Sequence, residues 1–353
     1  MIRPVLFDGI IYSLQKHGGI TVYFNELLQR MGAHGIPFRT VIYAGSSDHA
    51  TALPGNLEMR RPRSAERFRR CQVPVDFGVF HSSYYRLPDR RMTTITTVHD
   101  FTYERFVTGP RRWLHSRQKF AAIRGSHAII CISENTRRDL LDFLPDVAPE
   151  RVHVVYNGVG DAFFLLSAEA KAASARPYAL FVGARGGYKN FKLVVAALAR
   201  LPNLGLVCVG GGPLAQDETA LVDQHLLGRF QHRSGIAEQA LNELYNRAYC
   251  LVYPSAYEGF GIPVLEAMRA GCPVVAFNGS SIPEVAGEAA LLIDQLTADA
   301  LADALTKLES AVLRAVLRQK GLDRAKTFSW QRTFEQTLRV YELAQDTSLR
   351  DVG

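Results

Sequence analysis

Short apolar runs alternate with longer amphipathic segments along most of the chain. The run FRTVIYA at 38–44 is typical of a strand, and in the segment TVYFNELLQRMGAHG one helical face carries Val22, Leu27, Leu28 and Met31. Apolar strands separated by helices predict a parallel sheet covered on both faces. The other predicted strands are 93–100, 127–133, 152–158, 178–184, 204–210, 249–255 and 273–277. The other predicted helices are FKLVVAALARLP, LADALTKLESAVLRAVLRQKGLDRA and WQRTFEQTLRVYELAQ.

The alternation is interrupted between Gly158 and Pro177, where the sequence becomes small and polar. A fresh strand, glycine turn and helix follow in FVGARGGYKNFKLVVAALA. A chain of 353 residues is also long enough for two domains. We therefore predict an α/β protein with two doubly wound Rossmann-like domains, residues 1–162 and 163–353, facing a central cleft. The C-terminal helix could close against either domain.

Charge adds the first indication of a partner. The chain has 41 Lys and Arg against 34 Asp and Glu, a net charge of +7, and 47% of its residues are hydrophobic. This composition is typical of a globular protein with an anionic partner: nucleic acid, anionic lipid or a phosphorylated small molecule. Because we find no signal peptide, no long apolar span and only scattered cysteines, we expect a cytosolic protein without a disulfide framework or a zinc site.

The most informative segment is YPSAYEGFGIPVLEAMRAGCPVV at 253–275. A strand precedes a turn in which Gly259 and Gly261 flank Phe260, and Pro263 stands where a helix would begin. Glycines let backbone amides approach a ligand closely, and the N-terminus of a helix favours negative charge. The segment is therefore typical of a diphosphate-binding turn without the lysine of a P-loop.

Two glutamates in this segment, Glu258 and Glu266, are eight positions apart. Such a pair alone is usually a pair of surface charges, but the surrounding pattern EGFGIPVLEAM-x-x-G-x-PVV resembles the retaining nucleotide-sugar glycosyltransferases of family GT4, which have the GT-B fold. The likeness continues in SSIPEVAGEAALLID and FVGARGGYKNF. In the N-terminal half, GGI (18–20), FHSSYYR (80–86), TVHDFTYERF (97–106) and CISENTRRDLL (131–141) resemble the bacterial mannosyltransferase branch. The resemblance to family GT4 covers nearly the whole chain.

The resemblance implies three catalytic residues: His99, Lys189 and Glu258. His99 would lie near the transferring sugar and Glu258 would contact that sugar, while Lys189, helped by Arg185, would neutralise the diphosphate. Many family members place the arginine directly after the glycine, where this chain has Ala184. A solvated loop residue therefore remains the alternative for Arg185.

The resemblance also implies the rest of the donor site. Gly18 and Gly19 would form a turn of positive φ that brings amides to the diphosphate, Gly259–Gly261 would contact sugar and phosphates, and Glu266 would contact the ribose. Ser133, within CISENTRRDLL, is more economically the N-cap of a helix. Three residues are expected either on the acceptor side or in loop packing: Tyr84, Tyr85 and Arg86.

We expect a hexosyltransferase that moves mannose from GDP-mannose, with retention, onto a lipid-linked glycan or a growing polysaccharide such as O-antigen or lipopolysaccharide. No cofactor and no metal are expected, because the sequence has no Asp-x-Asp and offers basic side chains for the diphosphate. Nicotinamide-enzyme, P-loop and G-x-S-x-G motifs are also absent. The alternatives are a nucleotide-sugar epimerase of the same fold and a non-catalytic regulatory subunit.

The positive charge is concentrated in RRPRSAERFRR, residues 60–70, where six arginines accompany only Glu66. A solvated charged face is the ordinary explanation of such a run. We favour peripheral contact with anionic lipid on the inner face of the cytoplasmic membrane. We expect no nucleic-acid partner, because no recognition module for RNA is visible.

Overall fold

The structure is a computed structural model that describes residues 2–15, 18–45, 53, 55–167 and 176–350. The chain folds into two compact units, and the second comprises Val159–Ser329. The first comprises Met1–Gly158 together with Trp330–Gly353. The boundary thus falls four residues before the predicted one, at the start of the polar segment, and the C-terminal helix belongs to the first unit.

The first unit contains a parallel seven-stranded sheet of order β3-β2-β1-β4-β5-β6-β7. Its strands are Val5–Asp8 (β1), Phe38–Tyr43 (β2), Asn56–Arg60 (β3), Val79–Ser82 (β4), Thr93–Val98 (β5), Ala128–Cys131 (β6) and Val152–Val154 (β7). Among the described residues its helices are Ile11–Leu14 (α1), Gly19–Ala33 (α2), Thr102–Phe106 (α3), Pro110–Arg124 (α4), Glu134–Phe143 (α5) and Trp330–Arg350 (α13).

Buried polar contacts explain why α13 packs in the first unit. Tyr341 Oη lies 2.6 Å from His81 Nδ1, and Thr333 Oγ1 donates a hydrogen bond of 2.7 Å to the Tyr156 carbonyl. Tyr341 is fully buried. Satisfying these groups inside the first unit ties the helix there more firmly than apolar packing alone.

The second unit contains a parallel six-stranded sheet of order β10-β9-β8-β11-β12-β13. Its strands are Tyr178–Val182 (β8), Gly205–Val209 (β9), Phe230–Arg233 (β10), Cys250–Tyr253 (β11), Val274–Phe277 (β12) and Leu291–Ile293 (β13). Among the described residues its helices are Phe191–Ala199 (α6), Gln216–Leu226 (α7), Glu238–Arg247 (α8), Ile262–Arg269 (α9), Ile282–Ala286 (α10), Ala298–Lys307 (α11) and Ala311–Ala325 (α12).

All eight predicted strands are present, and each sheet has the strand order of a doubly wound Rossmann-like fold. One helix prediction is wrong in detail: the segment 301–325 forms the end of α11 and all of α12. The break occurs because Ser310 Oγ accepts the Leu313 amide proton and so caps a new helix. Ser133 caps α5 in the same way through the Thr136 amide, as predicted.

The five cysteines are buried free thiols that pack as small apolar residues. Within the described ranges, no helix combines the length and the apolar character that crossing a membrane requires.

Candidate functional site

In the second unit, the loops that follow β8 and β11 lie side by side at the carboxyl edge of the sheet. The two strands are parallel neighbours. The Ala256 amide donates to the Tyr188 carbonyl at 2.8 Å, and Asn190 Nδ2 donates to the Pro254 carbonyl at 2.8 Å. Asn190 has φ = 57°, a conformation that asparagine tolerates better than most residues. The sequence thus fixes the two loops against each other.

These loops bring together two of the predicted catalytic residues. Lys189 Nζ forms an ion pair with Glu258 Oε1, and the two side chains are only 13% and 12% exposed. The ammonium group also lies 5.3 Å from the ring centroid of Tyr188 and 5.5 Å from that of Tyr253. Aromatic faces and a carboxylate stabilise a cation that is largely removed from water.

The turn that carries Glu258 is held by two serines from the start of α10. The Glu258 amide donates to Ser280 Oγ at 2.9 Å. Ser281 Oγ is 3.0 Å from the Glu258 carbonyl and 2.9 Å from the Phe260 carbonyl. The sequence analysis assigned these serines no role, although they begin the segment SSIPEVAGEAALLID that resembles the family. The Phe260 side chain is buried with its centroid 5.8 Å from that of Phe328, so it belongs to the core.

Helix α9 begins at this turn. Gly261 precedes it with φ = 105°, and a Cβ there would lie 2.7 Å from Ile282 Cδ1. Pro263 occupies the first turn, as predicted, and that turn contains no acidic side chain. The positive end of the helix dipole is therefore not neutralised by its own first turn and suits an anion.

Glu266 lies one turn into α9. Tyr245 Oη, from α8, donates to its Oε2 at 2.9 Å, and Tyr245 is fully buried. Burial raises the pKa of Glu266 to about 7, against the opposing effect of the Tyr245 hydrogen bond; the negative charge of Glu238 also raises it. Tyr245 could not be found from the sequence, because its contact with Glu266 arises only from the packing of two helices.

Arg185 is held by other protein groups, and its contact with the diphosphate stays a prediction. Its Nε lies 3.0 Å from Glu218 Oε2, and its side chain is 5% exposed. Its two terminal nitrogens donate to the carbonyls of Gly210, Gly212 and Pro213. The guanidinium is therefore neither a solvated loop group nor a free cation, because it fastens the turn after β9 to the turn after β8.

His99 follows β5 in the first unit. It is 5% exposed, and its Nε2 is buried without a hydrogen-bond partner among the described residues. The rings of Tyr23 and Phe24 lie 5.3 Å and 6.2 Å away. Burial lowers the pKa of His99 to about 4, so the imidazole is neutral near pH 7. A neutral ring with one unsatisfied nitrogen is suited to a hydrogen bond with a ligand hydroxyl.

Gly18 and Gly19 begin α2, whose first turn has no acidic side chain. The expectation of positive φ is wrong there, since Gly18 has φ = 164°, which is extended backbone, and Gly19 is helical. A Cβ on Gly18 would instead lie 1.9 Å from the Gln15 side chain. These atoms belong to the flexible end of the Gln15 side chain, which can move aside, and the extended φ does not require glycine at this position.

The three candidate acceptor residues occupy different environments. Arg86 is fully buried, and its guanidinium reaches Asp8 at 2.9 Å and Glu66 at 2.6 Å. Tyr85 is also buried. Tyr84 is half-buried, and its hydroxyl lies 3.1 Å from His115 Nε2. Arg86 and Tyr85 therefore pack inside the unit, which was the second of the two roles expected for them. The acceptor role stays a prediction for Tyr84.

Two family models match the chain. The model described as Glycosyltransferase Family 4 matches residues 17–163, and the model described as Glycosyl transferases group 1 matches residues 165–323. The chain belongs to the group 1 glycosyltransferases of family 4. Membership confirms the predicted family and the assignment as an enzyme, and the two parallel sheets agree with its GT-B fold class.

Two curated relatives agree with this family, and a solved structure shares the fold. The O-antigen chain mannosyltransferase B of Escherichia coli is 29% identical over 75% of this chain and 74% of its own length. The alpha-maltose-1-phosphate synthase of Mycolicibacterium smegmatis is 32% identical over 62% of this chain, and that match spans less than two thirds of the synthase, 64%. The Anabaena protein HepE, solved with UDP and glucose, covers 97% of this chain and 100% of its own at 13% identity with a TM-score of 0.77.

Proposed function

We propose that the chain is a retaining hexosyltransferase that moves mannose from GDP-mannose onto a hydroxyl group of a lipid-linked or growing polysaccharide, without a metal cofactor. The observation that carries the proposal is the Lys189–Glu258 ion pair beside the start of α9. The name of the E. coli relative supports mannose and a polysaccharide acceptor. The UDP and glucose in HepE support a nucleotide-sugar donor.

Each part of this arrangement has a role in the proposed reaction. The diphosphate would lie at the N-terminus of α9 and draw Lys189 towards it, and Glu258 would then accept hydrogen bonds from hydroxyls of the sugar. Glu266 would accept hydrogen bonds from the ribose diol. Lys189 matters most as the bond to the sugar breaks, because negative charge then develops on the leaving phosphate.

Transfer with retention would occur on one face of the sugar. The bond between the anomeric carbon and the phosphate oxygen breaks, and its electron pair stays with the phosphate. The acceptor oxygen joins the same face of the anomeric carbon, and its proton passes to the leaving phosphate oxygen. Neutral His99 would orient a hydroxyl through its unsatisfied Nε2. Intact mass spectrometry during turnover should detect no glycosyl–enzyme adduct, and a stable adduct would contradict this route.

The donor is tested by a thermal-shift panel of GDP-, UDP- and dTDP-sugars. A ligand that binds only the native state raises the melting temperature in proportion to the logarithm of its concentration over Kd. GDP-mannose should give the largest shift. A larger shift with another sugar nucleotide would contradict GDP-mannose as the donor. NMR of the product should show the anomeric configuration of the donor, and sugar-nucleotide products without a glycan would identify an epimerase.

We also propose that residues 60–70 contact an anionic membrane surface on its cytoplasmic face. Arg60 and Arg63 are neutralised by Glu58 and Glu66. The remaining four arginines of the run form no ion pair with any carboxylate of the described residues. Such contact would bring the enzyme to a lipid-linked acceptor.

A further inference from the structure

A groove of about 300 Å³ lies in the first unit between residues 66–70 and helix α4. Its floor is largely apolar and includes the side chains of Leu87 and Ala122. Four arginines line it. Arg86 is paired with Asp8 and Glu66, and the other three are Arg69, Arg70 and Arg117. An apolar floor under several cations is typical of a site for an amphipathic anion.

The charges of Arg69, Arg70 and Arg117 are not balanced by carboxylates of the described residues. Arg69 Nε donates to the Ser64 carbonyl at 2.8 Å, and Arg70 donates to the Pro88 carbonyl at 2.9 Å. The Arg117 guanidinium lies 5.2 Å from the ring centroid of Trp113. Across the part of the chain that the structure describes, none of the three arginines has an acidic partner within ion-pair distance. The groove therefore presents a concentrated positive charge.

Large apolar side chains stand exposed beside these cations. Trp113 is 61% exposed, Phe68 43% and Leu114 42%. Helix α4 also buries His115, Lys119 and Ile123 in the unit. Exposed aromatic and aliphatic groups among arginines are typical of surfaces that enter the headgroup region of a bilayer, where the rings meet acyl chains and the cations meet phosphates.

The N-terminus of α4 adds a second electrostatic reason. Arg111 and Arg112 are exposed in its first turn, which has no acidic side chain. Cations at the positive end of a helix dipole are unfavourable. An anionic surface next to this turn would stabilise both the arginines and the dipole.

We propose that this groove binds the phosphate head group of an anionic lipid while Phe68, Trp113 and Leu114 enter the bilayer interface. The inference rests on the membrane contact in the proposed function and gives it a defined site. A soluble phosphorylated compound would use the arginines but leave the apolar rim exposed. Charge complementarity and the apolar rim together select a lipid.

The test is sedimentation of the full chain with large vesicles of phosphatidylcholine alone or with added phosphatidylglycerol at physiological salt. The wild type should bind only the anionic vesicles. The double variant Arg69→Ala/Arg117→Ala should bind about 25-fold more weakly, because each basic residue at an anionic surface contributes about fivefold. Trp113→Ala should weaken binding separately, since Trp113 is 61% exposed and little of its side chain packs in the unit.

The matched control is Arg91→Ala/Arg138→Ala, which removes two exposed arginines that lie outside residues 60–70 and do not line the groove. It should weaken vesicle binding less than fivefold, because charges farther than a Debye length of about 8 Å from the surface are screened. Equal losses of vesicle binding in the two double variants would indicate diffuse electrostatic attraction and would overturn the proposal that the groove binds lipid.

A second measurement separates a lipid from free phosphate. Calorimetric titration with monomeric dihexanoyl phosphatidic acid should show binding that inorganic phosphate does not reproduce, and that Arg69→Ala/Arg117→Ala abolishes. Equal affinity for inorganic phosphate would overturn the lipid assignment. The nucleotide-induced melting shift of the same variants should stay as in the wild type, so failure of the groove and failure of the proposed donor site give different results.

Discussion

Single residues decide the chemistry proposed for the second unit, and the role of Lys189 can be tested most directly. Its ammonium is held by Glu258 and two aromatic rings, so it is in place before a diphosphate arrives. Replacing Lys189 with Met should lower kcat by about 100-fold, a typical loss for one preorganised electrostatic group.

Glu258→Gln should lower kcat and leave nucleoside diphosphate affinity within a few fold, as steady-state kinetics and calorimetry can show.

Arg185 gives a contrasting prediction, because the structure uses it to hold a turn. Arg185→Met removes an ion pair and three hydrogen bonds to carbonyls. The free energy of unfolding should fall by about 2 kcal/mol or more, and nucleotide affinity should fall less than in Lys189→Met. A variant that melts like the wild type but loses nucleotide binding would instead support a direct contact with the diphosphate.

Glu266 predicts a pH dependence. Its pKa is raised to about 7, so its carboxylate is protonated as the pH falls below that value. If the ionised form accepts hydrogen bonds from the ribose, nucleotide affinity should fall about tenfold between pH 8 and pH 6. Calorimetric titration across this range measures the change, and Glu266→Gln should bind weakly but without the pH dependence.

Tyr245→Phe tests the same carboxylate. Loss of the donated hydrogen bond destabilises the ionised form, so the midpoint of the affinity change should move to higher pH. Tyr178→Phe is the matched control, because it removes another buried tyrosine hydrogen bond in the same unit, 2.9 Å to the Leu244 carbonyl. An equal shift in both variants would show that the effect is merely structural.

At this scale, a contact between two side chains can be predicted from the sequence when both lie in the same loop or in the loops after neighbouring strands. Lys189 and Glu258 follow neighbouring parallel strands, so their approach was foreseeable. The partners of Arg185 come from the turn after β9, and the contact between Tyr245 and Glu266 depends on how two helices pack. Such contacts depend on tertiary geometry, which leaves no local pattern in the sequence.

At the scale of elements, the start of α9 depends on the backbone of Gly261. An alanine there would adopt φ = 105° with its Cβ 2.7 Å from Ile282 Cδ1. Gly261→Ala should lower the free energy of unfolding by about 1–3 kcal/mol and weaken nucleotide binding, because the first turn of the helix must shift. Gly160→Ala is the control: it lies outside the loops after β8 and β11 and its Cβ would meet only the Phe163 ring at 3.9 Å, an ordinary contact, so both measurements should be unchanged.

Arg86 connects the end of β1 with the segment before β4 and the loop after it. Arg86→Met would leave Asp8 and Glu66 without the cation that each contacts. Removing one member of a buried ionic cluster costs about 3–5 kcal/mol, so urea unfolding should show a loss of that size. Wild-type stability with impaired acceptor use would contradict the structural role of Arg86.

The whole molecule follows from the alternation of strands and helices, which predicted both Rossmann-like sheets. Five strands, at 5–8, 56–60, 79–82, 230–233 and 291–293, were missed. They are short, and a strand of three to five residues gives too few positions to establish a period. The assignment of α13 to the first unit likewise depends on contacts such as Tyr341 with His81, more than 250 residues apart in the chain.

The central claim is that the loops after β8 and β11 bind a nucleoside diphosphate through Lys189. Isothermal titration of the wild type, Lys189→Met and Gly160→Ala with the diphosphate of the preferred donor tests it most directly. The wild type and Gly160→Ala should bind with the same Kd, and Lys189→Met should bind at least tenfold more weakly. Equal Kd values for all three proteins would contradict the claim.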